Sequence, residues 1–154
     1  MQLQLDSRFA AVDAFIRGSS GAQAPEMVKA ELYRFATVRI CGYIERSIEI
    51  IIMERLRSRA HPKVLNFVAA YFKYGKNLDT VATSDLLNRF DSAWQKAFDA
   101  FVVANPDVKE LVNSCYGLRN TIAHGGNAGV TDVRALQLLG GAKRMIDAVV
   151  LATK

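Results

Sequence analysis

The stretch RICGYIERSIEIIIMERL, residues 39–56, decides the fold. Its centre, IEIII, is β-branched enough to pass for a strand. Yet Ile40, Ile44, Ile48, Ile51 and Ile52 continue in one long unbroken frame, with Glu and Arg residues set inside it. That length and those charges favour a helix. Its apolar residues fall on every side, so the helix must be buried on most faces, either in a bundle or against a second chain. Gly42 offers a close approach or a kink.

Working outward, the remaining segments have the same helical period, and the three prolines and most of the ten glycines fall between them. No alternating strands and no internal repeat appear, so the fold class is all-α. A first short amphipathic helix spans about residues 3–16 and ends in the flexible break RGSSGAQAP, where Pro25 suits the start of the next helix. That second helix runs to about Arg59. After AHP at 60–62 a shorter helix reaches about Tyr74 and closes on YGKN. Ser84 then reads as the N-cap of one amphipathic helix, with Leu87, Phe90, Trp94, Phe98 and Phe101 along one side. Asn105-Pro106 breaks it, and the next helix runs from Pro106 to His124. Thr131 caps a last helix with Val133, Leu136, Leu139, Ala142, Ile146 and Val149 inward. The expectation is an up-and-down bundle of five or six helices, residues 1–154 forming one domain.

Composition narrows the function. With 154 residues and 51% hydrophobic content the chain can bury a sizeable core. No segment approaches the roughly 18 apolar residues of a membrane span, and MQLQLDSRF does not read as a secretory signal, so a soluble cytoplasmic protein is expected. Cys41 and Cys115 are too few for a disulfide framework and lack zinc-ligand spacing; both read as buried thiols. No phosphate loop or serine triad occurs, and neither a metal nor a cofactor is expected. The net charge of +5 permits an anionic partner such as RNA.

The chemistry concentrates in LRNTIAHGGN, residues 118–127. On a helical wheel of about 100° per residue, Val108, Leu111, Val112, Cys115, Leu118 and Ile122 form an apolar stripe into which Arg119 projects. A guanidinium there needs a carboxylate, a helix end or a ligand. His124 lies about 140° from it, while Asn120 shares His124's face and Gly125 suits the left-handed residue that ends a helix. Two arrangements would unite Arg119 and His124: an unwound last turn, or a two-fold dimer whose copies face one cleft. Two arginines and two histidines there would suit a phosphodiester, since Arg grips phosphate oxygens and His moves protons near neutral pH. The Ile-rich helix would supply apolar surface for that dimer. The structural alternative is that Arg119 bridges to a core carboxylate, Glu45 or Glu49, and His124 only caps.

LRNTIAHGG resembles the signature of the HEPN superfamily, whose ribonucleases carry Arg, a polar residue, three more residues and then His at a helix end. The continuation GGNAGVT is similar to its RiboL-PSP branch. The resemblance implies a homodimeric, metal-independent endoribonuclease in which the RNA 2′-hydroxyl attacks its own phosphate, in a toxin or phage-defence setting with an antitoxin or regulatory protein. It implies that Arg119 stabilises the phosphorane, His124 is general acid or base, and Asn120 orients the site. Other HEPN domains bind nucleotides or proteins, for example as partners of nucleotidyltransferases, and that is the alternative.

Further candidates are weaker. Arg55, Arg57, Arg59, His61 and Lys63 gather at a helix C-terminus, where cations are favoured, and Arg55, Arg57, Arg59 and Lys63 are candidate RNA-backbone contacts. Glu45 and Glu49 share a helix face and mimic paired catalytic carboxylates, but Arg46 beside them points to ion pairing. Tyr116 lies near the motif and reads mainly as packing.

Overall fold

The computed structural model describes residues 1–154 and has seven helices and no strand: α1 (Gln2–Gly21), α2 (Glu26–Leu56), α3 (Pro62–Phe72), α4 (Thr80–Phe90), α5 (Ser92–Ala104), α6 (Pro106–Ala123) and α7 (Asp132–Ala152). The all-α expectation holds, with one helix more than the upper expectation of six. α2 is the axis of the bundle and packs against α1, α3, α6 and α7. Ile40, Ile44, Ile48, Ile51 and Ile52 are all 0% exposed, which explains a helix with apolar residues on every side. Their burial within one copy also bears on an expectation: these isoleucines offer no surface to a second chain, and the apolar residues that α2 exposes are instead Met27, Val28, Phe35 and Val38. Nor does Gly42 serve a close approach or break the helix, since a side chain there would meet open space and α2 runs through it.

α1 continues past its expected end at Ile16 to Gly21. The hydroxyls of Ser19 and Ser20 donate to the carbonyls of Phe15 and Ile16, at 2.8 and 3.2 Å, so RGSSG is closed helix and not a flexible break. α1 then folds back on α2, with Tyr33 donating to Ser20 and Phe9 edge-on to Tyr43.

The single helix expected from Ser84 is two helices. Asp91 is extended (φ −160°, ψ 122°), and its carboxylate accepts from the Ala93 N–H at 2.7 Å as the N-cap of α5. Asp79, not Ser84, caps α4 by accepting from the Ala82 N–H at 2.9 Å. Ser84 instead ties α4 to α5, donating to Asp99 at 2.7 Å. Leu87 and Phe98 are buried as expected, but from two helices packed together. One extended residue is enough to turn the chain and leaves the apolar spacing looking continuous across the break.

α6 and α7 approach closely where Gly141 faces Leu111; a Cβ on Gly141 would lie 2.7 Å from the Leu111 Cβ. Arg144 pairs with Asp107 across this contact. Thr131 caps α7 as expected, accepting from the Arg134 N–H at 3.1 Å. Ala135, Leu138, Leu139, Ala142, Ile146 and Val149 are buried and Leu136 partly so, but Val133, expected inward, is 60% exposed because it lies in the first turn, beyond the packed stretch.

Candidate functional site

α6 begins with Pro106 at its first position and buries Val108, Val112, Cys115 and Tyr116. It crosses α2 where the sulfurs of Cys41 and Cys115 lie 3.6 Å apart, both free and buried. That contact, and then burial, push the Cys115 thiol well above its ordinary range, so it is no ready nucleophile.

The helix end is built by its glycines. Gly125 has φ +75°, and the N–H groups of Gly125 and Gly126 donate to the carbonyls of Ile122 and Thr121 at 3.1 and 2.8 Å. This is a Schellman termination, and it leaves His124 as the last residue before the left-handed turn. The His124 N–H still donates to the Asn120 carbonyl at 3.1 Å, so the final turn is regular. Of the two arrangements that could unite Arg119 and His124, the unwound turn is therefore not adopted. The two side chains leave α6 about 140° apart.

Arg119 turns inward. Its Nη2 lies 3.5 Å from Glu45 Oε1 and donates to Asn77 Oδ1 at 2.5 Å, while Nη1 donates to Asn120 Oδ1 at 3.3 Å. Its guanidinium is 6.0 Å from the centre of the Tyr116 ring. With side-chain exposures of 27% and 19%, Arg119 and Glu45 are a half-buried pair. Burial holds the Glu45 carboxyl above its ordinary range, opposed by the charge of Arg119 and by a hydrogen bond from the Lys76 backbone. The carboxylate expected for Arg119 is thus Glu45; Glu49 pairs with Arg46. His124 and Asn120 are exposed, and the His124 ring makes no hydrogen bond within the chain.

Asn77, Gly75 and Lys76 were not legible as site residues. They belong to the loop between α3 and α4, which appears in the sequence only as the punctuation YGKN. The fold lays this loop over α2 and α6: Leu78 is buried, and the Thr80 hydroxyl donates to Asn113 of α6 at 3.1 Å. Between the loop and α2 lies a groove of about 310 Å³, lined by Gly42, Glu45 and Glu49 on one side and Lys73, Gly75 and Lys76 on the other. Arg34 was also missed. It donates to the Ala128 carbonyl at 2.9 Å and to the Asn127 side chain, pinning the segment after the glycines to α2.

The basic run divides. Arg55 faces the end of α7, donating to the Val150 carbonyl at 3.1 Å and to the Thr153 hydroxyl at 3.2 Å, so it closes a helix terminus. Arg57 pairs with Glu54 at 3.1 Å. Arg59 and Lys63 are exposed, and His61 caps α3 by accepting from the Lys63 N–H. Tyr116 packs beneath Arg119 with its hydroxyl buried and unpartnered, and burial pushes that phenol up. Nowhere do three His, Cys, Asp or Glu side chains converge as a metal site would require, and no helix is long and apolar enough to cross a membrane.

No curated protein and no solved structure matches the chain. The family model described as RiboL-PSP-HEPN matches residues 4–154, a span that includes the Arg119, Asn120 and His124 constellation and all but the first residues of α1, and the chain belongs to that family.

Proposed function

We propose that the protein is a metal-independent endoribonuclease, with residues 1–154 acting as one HEPN domain whose cleft is completed by a second copy. The observation that carries this reading is the exposed His124, held at a regular helix end by Gly125 and Gly126 and used by nothing else in its own chain. It shares an exposed face of α6 with Gly117, Asn120 and Thr121. Small and polar residues there allow a two-fold partner to approach and bring one copy's His124 toward the other's Arg119.

In that cleft one histidine takes the proton of an RNA 2′-hydroxyl as its oxygen bonds to the adjacent phosphorus. The bond from phosphorus to the 5′-oxygen breaks, and the second histidine returns a proton to that oxygen. Arg119 bears on the charge that gathers on the phosphorane oxygens, and Asn120, bonded to Arg119, orients it. The products are a 2′,3′-cyclic phosphate and a 5′-hydroxyl. Such an enzyme needs restraint in the cytoplasm, which fits a toxin or phage-defence component held by an antitoxin or regulatory protein.

A second reading rests on the Arg119 contacts. An arginine already satisfied by Glu45 and Asn77 serves a structural role equally well, and the domain would then bind nucleotides or a partner protein, such as a nucleotidyltransferase. Incubating the purified protein with total RNA in excess chelator separates the two. Cleavage to cyclic-phosphate ends that is lost in His124→Ala supports the nuclease; an unchanged RNA profile from a folded dimer supports the binding module.

A further inference from the structure

Between Glu54 and Asp79 the chain has six cations, Arg55, Arg57, Arg59, Lys63, Lys73 and Lys76, and no carboxylate. The whole chain has twenty cations and fifteen carboxylates, so outside this stretch fourteen cations face fifteen carboxylates and the net charge is −1. The entire positive excess thus lies between the last turn of α2, which holds Arg55, and the loop after α3.

The same stretch exposes aromatic surface. α3 packs against α2 alone and fully buries only Val68. Val64, Phe67 and Tyr71 recur at steps of three and four, which places them on one face of α3, with Tyr71 half-buried against the core and Tyr74 just beyond the helix end. Phe67 is 75% exposed and Tyr74 72%. Lysines accompany the rings: the Lys76 Nζ lies 4.6 Å from the centre of Tyr71, and the Lys73 Nζ 5.7 Å from that of Tyr74. Lys63 stands four residues before Phe67, on the same face. The surface is continuous with the candidate site, since Lys76 lines the groove beside Glu45 and the next residue, Asn77, accepts from Arg119.

We infer that this face is a docking platform for single-stranded RNA, delivering an unpaired segment to Arg119. Exposed rings such as Phe67 and Tyr74 stack on unpaired bases whatever their identity, while the lysines beside them meet the phosphates. A duplex hides its base faces and offers these rings nothing to stack on. The two carboxylates that line the adjoining groove, Glu45 and Glu49, are paired with Arg119 and Arg46, so the lysines of the face are left to meet an anionic ligand. Arg55 is no part of the platform, because it is committed to the end of α7. The inference rests on the proposed reading only in taking RNA as what the site binds, whether or not it is cleaved.

Its test uses a 2′-O-methyl oligonucleotide of about 12 unstructured nucleotides, which lacks the free hydroxyl that the proposed cleavage requires, and the same strand in a duplex. Binding to the full chain is measured by fluorescence anisotropy. The single strand should bind at least tenfold more tightly than the duplex. Phe67→Ala with Tyr74→Ala should weaken it by about tenfold or more per ring, with an unchanged salt slope. Lys73→Gln with Lys76→Gln should instead flatten the salt slope. Both pairs lie on the surface, and a melting curve verifies their folds. Ring removal without effect, equal binding of duplex and single strand, or a shift of the Phe67→Ala, Tyr74→Ala protein from dimer to monomer would each overturn the platform. Binding as described without RNA cleavage would retire the nuclease reading and leave the platform standing; cleavage that is indifferent to the rings would do the reverse.

Discussion

The Arg119 guanidinium and the Glu45 carboxylate meet at 3.5 Å across α6 and α2, and this one contact both anchors the candidate site and divides it. It holds Arg119 against the bundle while His124, five residues later, faces solvent. The arginine therefore carries a structural duty that the histidine does not.

Stability should report that difference. Arg119→Ala leaves the half-buried Glu45 without its counter-charge and should cost about 1–2 kcal/mol, the modest figure reflecting partial exposure of both groups. In a domain of this size that lowers Tm by several degrees. His124→Ala should leave Tm within about a degree. Equal melting curves for the two variants would contradict the placement of Arg119.

Glu45 should make stability depend on pH in an unusual direction. Its carboxyl is held above the ordinary value of 4.5, so the folded state keeps this proton more tightly than the unfolded chain. Ionisation then costs stability, beginning as pH rises through 4.5 and complete once the raised folded value is passed. Glu45→Gln removes that cost and can still accept from Arg119 and from the Lys76 N–H. Scanning Tm against pH, the parent should lose ground to Glu45→Gln as pH rises from 4 to 7. A variant that is penalised more at pH 7 than at pH 4 would show that the pairing with Arg119 outweighs burial.

Gly117 tests the shared face of α6. A Cβ there meets nothing within 4 Å in its own chain, so Gly117→Leu should preserve helix content and thermal stability. If the copies meet on this face, the same side chain separates them. Sedimentation should then move from dimer to monomer, with loss of any RNA cleavage. A dimer indifferent to Leu at 117 would place the interface elsewhere.

Mixed dimers test the composite cleft. Arg119→Ala and His124→Ala proteins should each be inactive on RNA alone, with losses of about 10²–10⁴-fold for the proton-transfer group. Mixed and allowed to exchange, they form dimers holding one intact arginine and one intact histidine from different copies. Recovery of part of the parent rate is expected. Because the heterodimer holds one histidine where the cleft uses two, its rate should exceed that of either homodimer yet stay well below the parent; a rate no higher than the homodimers' would count against a cleft shared between copies.

The elements of this protein are written in its sequence because helix formation is local. The period of residues 39–56, the Thr131 cap and the end of α6 at Gly125 all depend on neighbours within a few residues, and each could be read directly. So could the demand that Arg119 find a partner, and the short set of carboxylates able to meet it. Tertiary structure alone decided the rest. Choosing Glu45 over Glu49 depended on where α6 crosses α2, near Cys41 and Cys115, which no local period encodes. The split at Asp91 was hidden because the two helices it separates bury the same apolar series against each other. Asn77 and Lys76 joined the site only when Leu78 buried itself and drew the loop over α2 and α6, and the isoleucines of α2 lost their claim on a second copy because four other helices cover them. Contacts between residues distant in the chain are set by crossing angles and by the competition of all apolar surfaces for one core, and that competition is settled only by folding.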